Sequence, residues 1–102
     1  MFPLRFLPTL LLLALCTCVN VLAQRSTVTF RLADPQKRYI RAFVPGEFNN
    51  WGPNNGGRIS AGAVSEMQYD SESGAWTKTL VLNTGQRYLY KFHVHRDASG
   101  AQ

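Results

Sequence analysis

Cysteine and acidic side chains are scarce in this chain of 102 residues: there are two cysteines, and six Asp and Glu stand against eleven Lys and Arg. Both cysteines, Cys16 and Cys18, lie in the first two dozen positions. The remainder therefore has no disulfide framework and no thiolate nucleophile, and its stability must come from packing. From Ser26 onward no window of helical length carries apolar residues at spacings of three and four, which argues against an amphipathic helix there. A nucleophile elbow and a metalloprotease helix motif are also missing.

What is present begins with a segment unlike the rest. Residues 1–23 open with the single cation Arg5, run through the apolar stretch Leu10 to Cys16, and close on Val21-Leu22-Ala23, a small-residue exit suited to signal peptidase. This predicts a secretory signal and an extracytoplasmic location, secreted or periplasmic. Thr17 and Asn20 interrupt the apolar run, which falls short of the about 20 residues of a bilayer span, so a retained anchor is disfavoured. Lipidation is disfavoured too, because Leu15 and Thr17 precede the cysteines where a small residue is wanted. Removing 23 of the 102 residues leaves 79 from Gln24 onward; without Arg5, ten cations face six acids, a net charge of +4.

From Ser26 the sequence alternates with period two. Val28, Phe30 and Leu32 share one face of a first strand, with Thr27, Thr29 and Arg31 on the other, and Asp34-Pro35 ends it. A second strand is expected over Tyr39 to Val44, with Ile40, Ala42 and Val44 on one face and Tyr39, Arg41 and Phe43 on the other, stopped by Pro45-Gly46. Residues 47–63 form a long ordered loop, and short β structure resumes near Glu66 to Tyr69. Asp70 to Gly74 is a turn before a strand over Trp76 to Leu82, on which Trp76, Leu80 and Leu82 oppose Thr77, Thr79 and Val81. Asn83-Thr84-Gly85 reads as a hairpin turn into a returning strand, Arg87 to His95. On that strand Tyr88, Tyr90, Phe92 and Val94 face one way and Leu89, Lys91, His93 and His95 the other. The fold class is all-β. Five strands fall short of the about seven of an immunoglobulin-like sandwich, and the tail from Arg96 offers no further strand, so an unpaired edge and a C-terminally truncated module over residues 24–102 are expected.

The chemistry concentrates in Gly46 to Gly57, where Trp51 sits among turn formers and asparagines. Read from composition, the indole has two fates. Exposed, its flat face suits the axial C–H groups of a pyranose while amide and lysine heads bond to the rim hydroxyls. Buried, it plugs one end of the fold, as a tryptophan's high average burial favours.

The blocks VPGEFNNWGP (Val44 to Pro53), GAWTKTLVL (Gly74 to Leu82) and GQRYLYKFHV (Gly85 to Val94) together resemble the family 48 carbohydrate-binding module. That family includes the glycogen-binding domain of the AMP-activated protein kinase β subunit and the N-terminal early-set domains of isoamylases, pullulanases and branching enzymes. The resemblance implies an immunoglobulin-like (early-set) β-sandwich that binds α-1,4-linked glucan such as glycogen or starch, as a non-catalytic module of a secreted carbohydrate-active protein. The alternative it implies is a structural domain adjoining a C-terminal hydrolase or esterase domain, with no sugar binding of its own. Carried over by position, Trp51 matches a stacking tryptophan, Lys91 a lysine that meets sugar hydroxyls, and Phe48, Tyr90 and Phe92 core positions; Asn49 or Asn50 would add hydrogen bonds. The family's second stacking tryptophan and a later strand carrying an asparagine have no counterpart before Gln102.

The other candidates are weaker. His93 and His95, two apart on one strand face, would give a metal two imidazoles, but a third ligand is not evident. The acids Asp34, Glu47, Glu66, Asp70, Glu72 and Asp97 lie mainly in turns or at strand ends, whereas a glycosidase needs two carboxylates about 5–9 Å apart across a cleft. Lys37, Arg38 and Arg41 cluster loosely and the remaining cations are scattered, without the dense block of a nucleic-acid surface. No enzyme activity, cofactor, metal, nucleic-acid partner or membrane partner after signal cleavage is expected.

Overall fold

The computed structural model describes residues 24–98, so the leader expected over 1–23 lies outside them. The described residues are all-β, with five strands in antiparallel sheets: β1 (Arg25–Ala33), β2 (Arg41–Phe43), β3 (Gln68–Asp70), β4 (Ala75–Asn83) and β5 (His93–His95). The only helical element among the described residues is a single 3-10 turn, Glu47–Asn49. One sheet has the order β1-β4-β3 and the other pairs β2 with β5.

The alternation in β1 places its side chains as its sequence predicts. Phe30 is buried and Val28 and Leu32 pack half-buried against the core, while Thr27, Thr29 and Arg31 face outward. On β4, Trp76 is buried and Leu80 and Leu82 pack inward, with Thr79 and Val81 exposed. Ala42 on β2 and Val44 just beyond it reach the same core from the second sheet, and Met67 completes it. Phe30, Ala42, Val44, Met67 and Trp76 thus hold the two sheets together, with Phe30, Val44 and Met67 each contributing about 1.5–3 kcal/mol by leaving water.

Three expectations need correction. The second strand is shorter than Tyr39 to Val44, and Ile40 is 45% exposed rather than buried with Ala42 and Val44. The turn at Asn83 to Gly85 does not close a hairpin: the chain leaves β4 and crosses to the other sheet, where β5 pairs with β2 in the register Arg41↔His95, Ala42↔Val94, Phe43↔His93. The rings of this segment find their neighbours across the core, Tyr90 edge-on to Phe30 at 4.8 Å and Tyr88 edge-on to Phe48 at 6.0 Å, instead of along β4. The core assignment of Tyr90 and Phe92 also fails, since they remain 49% and 36% exposed; Phe48 is half-buried. Residues 86–92 belong to neither sheet and form one isolated bridge, Gly46↔Tyr90, and Tyr90 and Phe92 stay partly in water.

A buried polar joint closes the turn after β1. Asp34, 4% exposed, accepts hydrogen bonds at Oδ1 from the Arg38 N–H (2.8 Å) and at Oδ2 from the Tyr39 N–H (3.1 Å) and Trp76 Nε1 (3.0 Å). Its carbonyl accepts from the Tyr69 hydroxyl at 2.8 Å. Burial pushes this carboxyl up, but the Trp76 bond, the two backbone N–H groups and the Arg38 charge outweigh it and hold it below the usual carboxylate range.

Candidate functional site

The loop over residues 47–63 folds against the outer side of the β2–β5 sheet. Its form starts with Asn49. The Asn49 Oδ1 accepts hydrogen bonds from the N–H groups of Gly46 and Gly52, each at 3.0 Å, and its Nδ2 donates to the Val44 carbonyl at 3.0 Å. One amide thus ties the start of the loop to its turn. Asn50 and Trp51 follow with φ of 53° and 55°, consecutive left-handed residues. Asparagine tolerates that region; a tryptophan there is unusual and costs about 1–2 kcal/mol, which the surrounding hydrogen bonds must hold in place. The Trp51 N–H donates to the Gly46 carbonyl at 2.9 Å, and its own carbonyl accepts from Asn54 Nδ2 at 3.0 Å. Gly52 has φ of 136°, and a Cβ there would stand 3.1 Å from the buried Ile59 side chain, so this position needs glycine.

Lys91 reaches the same place from the other end of the chain. The Glu47 N–H donates to the Leu89 carbonyl at 3.0 Å, the Leu89 N–H to Glu47 Oε1 at 3.0 Å, and the Lys91 N–H to the Pro45 carbonyl at 3.0 Å. Residues 89–91 are thereby pinned along 45–47. Gly46 permits this approach: a Cβ there would lie 2.9 Å from the Leu89 carbonyl oxygen and 2.7 Å from the Phe48 ring.

The result is a concave pocket of about 440 Å³ lined by Pro45, Trp51, Asn54, Gly57, Ile59, Lys91 and His93. Trp51 is half-buried and lies outside the main core cluster, while Lys91 is exposed. A tryptophan, a lysine, an asparagine and a histidine therefore border one cavity, and the Asn54 amide braces its wall, donating to the Trp51 carbonyl and accepting from the Gly57 N–H, each at 3.0 Å. A more open concavity of about 360 Å³ lies on another side of the loop, lined by Pro53, Asn54, Asn55, Arg58 and Ser60 among others, and has no aromatic wall.

The sequence-predicted residues divide. Trp51 and Lys91 come together. Asn49 does not line the pocket, and its side chain is committed to the backbone. Asn50 is exposed and also does not line it. Asn54, Pro45 and Ile59 were not singled out from the sequence; Asn54 carried a usable signal as a further amide of the same loop, whereas Pro45 and Ile59 carried none.

The histidines differ from a solvated pair. The ring centroids of His93 and His95 lie 5.8 and 5.0 Å from that of Phe43, which is fully buried on the face expected to be polar. The His93 Nε2 is shielded and has no hydrogen-bond partner among the described residues. Burial, and then the neighbouring charges of His95 and Lys91, push the His93 imidazolium to lose its proton below the usual histidine range. Among the described residues no three His, Cys, Asp or Glu side chains converge on a point where a metal would sit.

Comparison with protein-family models, with curated proteins and with solved structures finds no match.

Proposed function

We propose that this chain is a non-catalytic, extracytoplasmic module that binds α-1,4-linked glucan in the pocket between Trp51 and Lys91, on an immunoglobulin-like, early-set sandwich. The observation that supports this reading is that Trp51 and Lys91, far apart in the chain, line one cavity with the Asn54 amide. A half-buried indole offers a flat apolar face to the C–H side of a glucosyl ring, and polar heads at its border exchange hydrogen bonds with hydroxyls. The volume of about 440 Å³ lies in the range of small-ligand sites. The three sequence blocks that resemble the family 48 module support the same ligand class. Asn54 takes the role expected of Asn49 or Asn50, because it borders the pocket and its amide, which donates to the Trp51 carbonyl and accepts from the Gly57 N–H, keeps one further N–H and one further oxygen lone pair.

The test is retention of the secreted protein on insoluble starch or glycogen, with titration by a linear maltooligosaccharide followed through the indole N–H resonance of Trp51. Trp51→Ala should weaken binding at least about tenfold, in the manner of a central aromatic anchor, and Lys91→Met by a smaller factor. Absence of retention, or retention unchanged by Trp51→Ala, overturns the reading.

A further inference from the structure

The outer side of the β2–β5 sheet carries a small second core, apart from the main one. Phe43 is fully buried there, Ile59 is 3% exposed, and the ring centroids of His93 and His95 stand 5.8 and 5.0 Å from that of Phe43. Ile59 comes from the loop. It borders the Trp51 cavity beside His93 on one side, and on the other a second concavity beside Arg41, Arg58 and His95, so it stands over the histidine pair. Gly52 leaves the space for it, since a Cβ there would lie 3.1 Å from the Ile59 side chain.

Around Ile59 the loop bonds to itself. Asn54 Nδ2 donates to the Trp51 carbonyl and the Gly57 N–H to Asn54 Oδ1, each at 3.0 Å, while Asn55 and Arg58 exchange backbone bonds of 2.8 and 3.2 Å. The segment thus keeps a shape of its own, and Ile59 seats it on the sheet.

His93 is the weak point of that seat. Its shielded Nε2 finds no hydrogen-bond partner among the described residues. A neutral ring can leave that nitrogen as a bare acceptor, whereas a charged ring carries a proton on both nitrogens, and a buried charged donor without an acceptor is costly. The charges around it are of the wrong sign to help. On its own segment stand Lys91 and His95, the latter with its ring 5.6 Å away; on β2, Arg41 lies across from His95; and the loop brings Arg58. No Asp or Glu among the described residues lines either cavity. Glu66, bridged to Phe43, has its oxygens on Arg41 Nη1 (3.1 Å) and the Gly62 N–H (2.6 Å). Burial and the charges of His95 and Lys91 accordingly disfavour the imidazolium.

We propose that loop residues 53–61 are an acid-released flap: a proton taken up by His93 lifts Ile59 off β5 and opens the wall of the Trp51 cavity. Once the flap lifts, water reaches Nε2 and supplies the missing acceptor. Neutral His93 keeps the wall shut. A ligand held between Trp51 and Ile59 leaves by the same step whatever its chemistry, so the flap does not depend on glucan being that ligand.

NMR of the protein secreted from the full-length chain, titrated from neutral pH down to the edge of the carboxylate range, tests it. The His93 ring reports its own protonation, the Trp51 indole N–H the cavity, and broadening of the Ile59 methyls by a soluble nitroxide the flap. The population that exposes Ile59 should grow about tenfold for each pH unit between about 6.5 and the His93 midpoint, and then level off. His93→Gln, which cannot charge, should keep Ile59 protected over the whole range. Should that variant fail to fold, Lys91→Met decides with the ring in place: removing the neighbouring charge raises the His93 midpoint, and the pH at which Ile59 exposure levels off should rise with it. Ile59 broadening that stays flat while His93 titrates, or that grows equally in His93→Gln, overturns the proposal.

Discussion

The indole Nε1 of Trp76 donates a hydrogen bond to Asp34 Oδ2 at 3.0 Å, with the two side chains 5% and 4% exposed. This joins the middle strand of the larger sheet to the turn that leads from β1 into the second sheet. A carboxylate in that place is tolerable because every hydrogen bond it accepts favours its charged form.

Acid should therefore weaken the fold through Asp34. Its folded pKa lies below the unfolded value of about 3.9, so its contribution is fully present above that pH and disappears as pH falls through the folded value. Chemical denaturation as a function of pH should show a loss of stability below about pH 4 that is reduced in Asp34→Asn. The variant should also be about 1–3 kcal/mol less stable at neutral pH, because an amide turns a donor toward N–H groups that need an acceptor.

The loop depends on Asn49 as scaffold. Asn49→Ala orphans the Gly46 N–H and the Val44 carbonyl and leaves the Gly52 N–H only its 3.2 Å bond to the Asn49 carbonyl, and should cost about 2 kcal/mol while speeding amide exchange at Gly46 most and at Gly52 less. Asn49→Asp keeps the acceptor and loses only the donor to Val44, so exchange at the two glycines should stay slower than in the alanine variant. Equal exchange in both would contradict the bonding pattern.

Close packing at Gly46 sets the position of Lys91. In Gly46→Ala the new methyl stands 2.9 Å from the Leu89 carbonyl oxygen and 2.7 Å from the Phe48 ring. Residues 89–91 must move, at a cost of about 1–3 kcal/mol in thermal denaturation. The Trp51 indole resonance should shift with them if the pocket wall opens, and the Asp34 joint should be unaffected.

His93 should titrate below the usual histidine value of about 6.5, since burial and the charges of His95 and Lys91 disfavour the imidazolium. The sign follows: with the folded pKa depressed, stability rises with pH between the folded value and about 6.5, and is lost on acidification through that window. Proton NMR titration of the ring checks this, and Lys91→Met should move the His93 midpoint upward.

Much of the fold can be read locally. The alternation of Val28, Phe30 and Leu32 with Thr27, Thr29 and Arg31 needs only the period of a strand and one apolar side to bury. The same rule misplaced Phe43 and the two histidines on a solvated face. Alternation says which residues share a side of the strand, but it does not say that a loop folds back over that side with Ile59 and Gly52. The turn at Asn83 to Gly85 has the composition of a hairpin, yet the rings beyond it pack edge-on against Phe30 and Phe48 across the core instead of extending the ladder along β4.

By itself the amino-acid sequence determined the all-β class, the inward faces of the two long strands and the loop that carries the tryptophan, because these follow from short-range sterics and from the sorting of apolar and polar side chains. Tertiary structure alone decided that β5 pairs with β2, that Lys91 stands beside Trp51, and that Asn54 rather than Asn49 borders the cavity. Each of these depends on hydrogen bonds and close approaches between distant segments, such as the Gly46 contact with Leu89, and no local pattern encodes such a distance.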